Sequence, residues 1–513
     1  MKNHLLLINP AVNLESQSAL VNSMINKSLP TSLGVLAAYI LDTGLTSVRI
    51  VDEQIHFLDE RALEQAVREL DPPRIVGMSV LTINSARAHD LARRIKSIDP
   101  ACRVICGGIH PTVCPEEMLT DECVDIVVRG EGEKALRELV ERILAGREFG
   151  DVAGVSVRRA GGIIHNEPQS LIVDLDEIPP FPYHLFKADL DKYSSFAAVF
   201  GSRGCPYDCI FCSSRSVSGK RYRYHSVERV VDQIRLLVEE FGQQEIWLMD
   251  DNIAVNRRRF LDLLDAIMRE GLHKKACFHG SMRGDNVSEE LLHKAKEANF
   301  KMIAFGLETG SERLMKVLRK GETVQQVADA IVLTDRIGIA TAATIIFGLP
   351  TETREDRRAA VKLVRDLPLS SVRFNTLTPY PGTAVWDMLK DSDKITVRKN
   401  WANFAVQYMW EGDDIPYVPD GTNRYELMFD TMYANLSFYL SFAGLKRMLR
   451  SSFAGGNVVK LSGRWYLQPK AVLRMSRLAF YLTRRFAVVF AKMMRSRLFR
   501  SGSDEARPSL QVN

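Results

Sequence analysis

What the chain lacks narrows its reading first. No uncharged run in its 513 residues exceeds 15, whereas a membrane-crossing helix needs about 20 apolar residues, so no spanning segment is expected. The start, Met-Lys-Asn-His followed by Leu5 to Ile8, has the form of a buried first strand rather than a secretory leader, and export is not expected either. Cysteine is sparse, at 8, and only three sit close together. That argues against a disulfide framework and fits a reducing, cytoplasmic compartment. Cys102, Cys106, Cys114, Cys123 and Cys277 have no metal-site spacing and are expected as buried free thiols. Acidic residues are absent from Lys446 to Ser503, a stretch with 14 Lys or Arg. The last ten residues contribute −1, so the net +5 of the chain leaves −8 on residues 1–445. An acidic body therefore carries a basic tail.

The hydrophobic share of 46% and charged share of 26% are those of an ordinary globular protein, and the length suits about three domains. Residues 1–150 alternate apolar runs with amphipathic segments. The runs are Leu5–Asn9, Val48–Asp52, Ile75–Val80, Arg103–Gly107 and Asp125–Arg129. Five such β/α repeats predict a doubly wound, flavodoxin-like parallel sheet, whose ligands bind at the carboxyl ends of its strands. Those ends carry Ser79 with Thr82, then Gly107, Gly108 and His110, then Gly130 and Gly132. Paired glycines let a bulky ligand approach the backbone closely.

Residues 151–195 hold Gly161-Gly162, Pro168 and Pro179-Pro180-Phe181-Pro182, which predict a linker. The β/α rhythm returns over 196–390, with strands expected at Ala197–Ser202, Glu245–Met249, Ala276–Met282, Met302–Leu307, Thr341–Phe347 and Val372–Thr376. Each is followed by polar or glycine residues, as at Asp250-Asp251-Asn252, Arg283-Gly284-Asp285 and Glu308-Thr309-Gly310. Asp251 and Glu312 also suit plain helix caps. Residues 391–513 read as mostly helical, with Trp401, Phe404, Tyr408, Trp410 and Tyr417 first. A basic amphipathic tail follows, in which Lys470, Arg474, Arg477, Arg484, Lys492 and Arg495 recur among Leu473, Phe486, Val489, Phe490 and Met493. Such a tail suits an anionic membrane surface; a docked surface helix and an RNA-binding tail are the alternatives.

After the first strand of the second repeat set comes Gly201-Ser-Arg-Gly-Cys-Pro-Tyr-Asp-Cys-Ile-Phe-Cys212. Its C-x3-C-x2-C spacing brings together Cys205, Cys209 and Cys212. Three thiolates so placed hold three irons of a 4Fe-4S cluster and leave the fourth open to a substrate or cofactor. By spacing alone they also suit a zinc site completed from elsewhere.

With the aromatic Phe211 before the last cysteine, the segment resembles the signature of the radical S-adenosylmethionine (SAM) enzymes, C-x3-C-x-aromatic-C. Placed behind a flavodoxin-like domain, it resembles the cobalamin-dependent radical SAM family, whose members include tetrapyrrole cyclases and methylases of hopanoids and antibiotics. The resemblance covers roughly residues 1–400. It implies a cobalamin-binding domain over 1–150, a partial six-stranded β/α barrel over 196–390, and a 4Fe-4S cluster, SAM and cobalamin as cofactors. It further implies that Asp250 and Asp251 meet the methionyl amine, Arg283 the methionyl carboxylate, Glu308 the ribose and the backbone near Phe211 the adenine. Cobalamin would lie against Ser79, Thr82, Gly107, Gly108, His110, Gly130 and Gly132. The D-x-H-x-x-G pattern of proteins that give cobalt a histidine is not matched by Asp52-Glu53-Gln54-Ile55-His56.

The activity implied is modification, with methylation foremost, of an unactivated carbon in a hydrophobic substrate such as a hopanoid-like lipid. A non-methylating cyclase or rearrangement enzyme acting on a tetrapyrrole, and a cobalamin-binding sensor with a structural cluster, are the alternatives. The partners implied are an electron donor such as flavodoxin or ferredoxin and an anionic membrane surface at the inner face. Nucleic acid is not expected.

Overall fold

The computed structural model describes residues 2–12, 27–193, 196–395, 401–404, 415–441, 458–461, 464–467 and 483–496. Tyr408, Trp410, Lys470, Leu473, Arg474 and Arg477 lie outside the described residues.

The five apolar runs of the first 150 residues become strands β1 (Asn3–Asn9), β2 (Ser47–Asp52), β3 (Ile75–Ser79), β4 (Arg103–Gly107) and β5 (Ile126–Val128). They pair in parallel in the order β2-β1-β3-β4-β5, the flavodoxin order, whose switch point lies between β1 and β3. Alternate residues of each strand feed the two faces: Leu6 and Ile8 pack on the side of helix Ser85–Ile98, Leu5 and Leu7 on the side of helices Thr31–Leu41 and Glu133–Leu144. Cys102 and Cys106 are fully buried, as expected of free thiols.

The linker reading of 151–195 missed one element. Val155–Arg159 and Gly162–His165 form β6 and β7, an antiparallel hairpin that continues the sheet beyond β5. Gly162, at φ +126°, makes its turn. The rest of the segment brings Phe181, Tyr183, Phe186 and Tyr193 into one aromatic cluster with Phe196, and the Tyr183 hydroxyl donates to the Ala198 carbonyl.

The second half forms a partial barrel of six parallel strands: β8 (Ala198–Val199), β11 (Glu245–Leu248), β12 (Cys277–Met282), β13 (Phe300–Glu308), β14 (Ala340–Phe347) and β15 (Ser371–Thr376). Between β8 and β11 lies a small antiparallel pair, β9 (Ser202–Arg203) with β10 (Arg223–Tyr224). The outer helices start at predictable caps, with Ser226, Asn256, Ser288 and Thr353 each accepting a backbone N–H of the first turn.

An open barrel leaves an unpaired edge strand. Helix Arg424–Tyr439 covers it: Asn435 bonds both the N–H and the carbonyl of Phe374, and Tyr439 does the same for Val372. Helix 483–496 packs on that helix, with Phe486 and Phe490 against Phe429. The tail, expected as helical, also contains a hairpin of β16 (Val458–Leu461) and β17 (Arg464–Leu467), where β-branched and aromatic residues favour strand.

Candidate active site between the two sheets

The cysteine loop hangs between β9 and β10. Gly204, at φ +83°, precedes Cys205, and a Cβ there would lie 2.3 Å from the Arg221 carbonyl oxygen, so only glycine lets the two chain segments cross. Ile210 anchors the middle of the loop: its N–H donates to Leu318 O at 3.1 Å, and its carbonyl accepts from Val385 N at 3.0 Å. Phe211 packs beside it on an apolar cluster with Leu314, Leu318 and Leu349. All three thiols are half-buried. Burial pushes each of them up, Cys212 to about 11, so iron binding releases their protons. The donor set is three thiols on one pinned loop, which fits a cluster with one open iron.

The strand-end residues divide into two layers. Asp251 accepts from the Ser214 hydroxyl at 2.5 Å and lines the cavity described below. Asp250 lies behind it, buried, and accepts from Gly201 N at 3.2 Å and from the Ser202 hydroxyl. Burial raises its carboxyl. Its oxygens thus brace the approach to the cysteine loop, and Asp250 is not among the residues facing the cavity.

Arg283 lies 3.7 Å over the Tyr207 ring, pairs with Asp285 at 2.8 Å and donates to Lys320 O at 2.7 Å. Glu308 accepts from Lys320 Nζ at 2.9 Å, and Lys320 lies 3.5 Å from Glu322. Lys320 and Glu322 are buried. A Cβ on Gly306 would come 2.3 Å from Glu308 Oε1 and 2.6 Å from Lys320 Nζ, so that glycine makes room for the pair. Neither Lys320 nor Glu322 was singled out from sequence. They lie on the turn after helix Glu312–Val317, and no local spacing marks them. Glu312 is not the cap of that helix, whose N-cap is Ser311; as its first residue it accepts from Gln325 N at 3.3 Å.

Glu352, just past β14, accepts from Gly348 N at 2.6 Å and Arg357 Nη1 at 3.3 Å, and burial lifts its carboxyl to about 7. A folded value above the unfolded one means that its contribution to stability is full below about pH 4.5 and lost as the pH rises to about 7. At ~1.4 kcal/mol per pKa unit this is worth roughly 3 kcal/mol. Thermal midpoints should therefore fall as the pH rises from about 5 to about 7, and Glu352→Gln should flatten that part of the curve. An equally steep decline in the variant would refute this.

Between the barrel and the carboxyl ends of the first sheet lies a cavity of about 450 Å³. Ser79, Gly107, Gly108, Gly130 and Gly132 line one side, and Ser202, Arg203, Gly204, Ser213, Ser214, Met249 and Asp251 line the other. A Cβ on Gly108 would lie 2.8 Å from the Val80 carbonyl oxygen. This glycine-walled space, facing the cysteine loop, fits a large flat ligand such as a corrin.

Phe211, Asp250, Arg283, Glu308 and the three cysteines are not among the lining residues, and two of the expected cobalamin contacts also fall outside the lining. Thr82 is buried in a short turn. His110 points away from the cavity, fully buried between Glu117, which accepts at its Nε2, and the edge of Trp401 at 5.4 Å. Its pairing, with His89, holds the Glu117 carboxyl down at about 2 despite burial. Asp52 is taken up by Asn9 and the Tyr193 hydroxyl, and His56 by Asp189. The histidine that does line the cavity is His225, bonded to Asp176 and kept toward its neutral form by burial.

Comparison with known proteins gives the family. The profile of the radical SAM superfamily matches residues 199–364, and that of the B12 binding domain matches residues 19–140. An uncharacterized methyltransferase of Pyrococcus horikoshii is 34% identical over 382 residues, covering 74% of this chain and 82% of that protein. The anaerobic magnesium-protoporphyrin IX monomethyl ester cyclase of Rubrivivax gelatinosus is 27% identical, covering 81% and 75%. The hopanoid C-3 methylase of Methylococcus capsulatus is 28% identical, covering 72% and 71%. Among solved structures, the radical SAM methyltransferase TsrM of Kitasatospora setae, with cobalamin and a [4Fe-4S] cluster bound, superposes with a TM-score of 0.66 at 18% identity, covering 89% of this chain and 100% of that one. The chain is a radical SAM enzyme with a B12-binding domain. It belongs to the cobalamin-dependent radical SAM family, and its cofactors are a 4Fe-4S cluster, SAM and cobalamin.

Proposed function

We propose that this enzyme methylates an unactivated carbon of a hydrophobic, lipid-like substrate. The observation that carries the proposal is the single cavity in which the glycine-lined strand ends of one domain face the cysteine loop of the other. When bound, the cluster and SAM supply a radical that takes hydrogen from carbon, and cobalamin supplies the methyl group. The chain's own part is to place and enclose them. Cys205, Cys209 and Cys212 hold the cluster, and Ser79, Gly107, Gly108, Gly130 and Gly132 hold the corrin. Asp251, Arg283, Glu308 and the backbone near Phe211 meet SAM, with Asp250 supporting them through Gly201 and Ser202.

Reaction with methyl-labelled SAM under reducing, anaerobic conditions tests this: the label should appear in the lipid product. A product without label would leave the second reading, cyclisation of a tetrapyrrole-like substrate, which the cyclase relative favours.

The lipid reading places the enzyme in the cytoplasm, at the inner face of an anionic membrane. Among the described residues no helix is long and apolar enough to cross a membrane. Helix 483–496 buries Val489 and Met493, while Val488 and Met494 are exposed, with the exposed Arg484 one turn before Val488, a surface that suits such a membrane. Deleting residues 446–513 should abolish binding to anionic vesicles; undiminished binding removes this partner. The electron donor would be a flavodoxin or ferredoxin.

A further inference from the structure

Four charged side chains join the two domains at the rim of the cavity. Glu131 stands on the loop that follows β5, and Glu133 opens the helix Glu133–Leu144 after it, interleaved with Gly130 and Gly132. Arg203 precedes Gly204-Cys205, and Arg223 lies opposite it on β10. Arg223 grips Glu131 with both terminal nitrogens, at 2.9 and 2.6 Å. Arg203 donates to Glu133 Oε1 at 2.6 Å and lies 3.5 Å from Glu131. Arg223 also donates to the carbonyls of Ile172 and Ser218, so it ties together the loop after β5, the linker and the far end of the cysteine loop. The Arg223–Glu131 fork is desolvated, with Arg223 3% exposed, and Glu133 is 4% exposed, while Arg203 is partly exposed. Charge-assisted pairs in such surroundings fix geometry as well as neutralise charge.

One acceptor is left over. Glu133 Oε2 is buried without a hydrogen-bond partner, and Glu133, Glu131 and Arg203 all line the cavity. A buried carboxylate oxygen without a donor is costly, so it is expected to find one in the loaded protein. The rim of a corrin carries primary carboxamides, whose N–H groups are donors of the required kind.

We propose that Glu133 is a cobalamin-positioning residue: Oε2 accepts an amide N–H of the corrin rim while Oε1 holds Arg203, so that filling the cavity fixes the entry to the cysteine loop. The inference rests on the proposal that cobalamin occupies this cavity. A carboxylate at position 133 can accept from Arg203 and from a corrin amide at once, whereas a glutamine has a single acceptor oxygen and carries no charge.

Two measurements on the cluster-reconstituted full chain decide the matter. In a visible-absorbance titration with hydroxocobalamin, Glu133→Gln should bind about tenfold or more weakly than wild type, the loss expected of one charge-assisted hydrogen bond, with an unchanged iron content. Binding within about twofold of wild type overturns the inference. The second measurement needs no variant, and so stands even where Glu133→Gln fails to fold. Hydrogen exchange of the wild type, with and without hydroxocobalamin, should slow both in residues 129–133 and in residues 203–223. Protection confined to the first domain overturns the coupling. If the wild type itself binds no hydroxocobalamin, the cofactor site fails and this inference with it; wild-type binding matched by the variant overturns the inference alone.

Discussion

Cys209→Ser should bind cobalamin as wild type does, yet assemble no intact 4Fe-4S cluster and release no 5′-deoxyadenosine when given SAM and reductant. Each of the three cysteines holds its own iron, and a serine hydroxyl is a far poorer ligand than a thiolate. The loop itself should survive the change, because its shape is fixed by the backbone bonds at Ile210 and by Gly204 rather than by the thiols. The loss of SAM cleavage should be at least about a hundredfold, about 2.7 kcal/mol of barrier. Iron and sulfide analysis, the spectrum of bound cobalamin and chromatography of the nucleoside product check the three parts separately. Nucleoside formed at the wild-type rate would remove the cluster assignment. Cys102→Ser is the contrasting variant. That thiol is fully buried just before β4 in the core of the first domain and pushed up to about 12 by burial, so its replacement should cost stability and leave iron content alone.

Lys320→Met should lower stability by about 3–5 kcal/mol, the cost of stranding buried charge by removing one partner of an ion pair. Lys320 lies between Glu308 and Glu322, and none of the three side chains is more than 9% exposed. Methionine matches the aliphatic stem but leaves Glu308 without its cation and Glu322 with only Arg283, 3.9 Å away. The thermal midpoint should fall on the order of 10 °C. Because the defect is uncompensated charge rather than lost volume, Lys320→Met/Glu322→Gln should recover part of the loss. A single variant that melts with wild type, or a double variant no better than the single, would refute this account. The same pair bears on the chemistry: if Glu308 meets SAM as proposed, it must share or exchange Lys320, so the single variant should change the KM for SAM as well as the melting point.

The parts of this protein legible in its sequence are those whose signal is local. Runs such as Leu5–Asn9 and Thr341–Phe347 are strands because buried parallel strands are apolar on both faces, and all eleven expected strands formed. The cysteine spacing and Phe211 are contiguous, so the cluster loop could be found before any fold was known. The hairpin at 155–165 was obscured by the glycines and prolines around it. The partners of the site residues were not legible at all. Arg223 meets Glu131 across 92 positions and Arg203 meets Glu133 across 70, while Asp250 braces Ser202 from 48 positions away.

The sequence by itself determined two β/α halves, the residues of the cysteine loop and the glycines at the strand ends, because periodicity, spacing and turn chemistry act over a few residues. Only the tertiary structure decided which strand-end groups face the cavity. Asp251 and Ser79 do, whereas Asp250 and His110 spend their polar groups inward and Thr82 is buried. A side chain's role depends on what lies within hydrogen-bond reach of it. In this fold those neighbours come from the other domain or from distant strands, brought into contact by burial of the two cores.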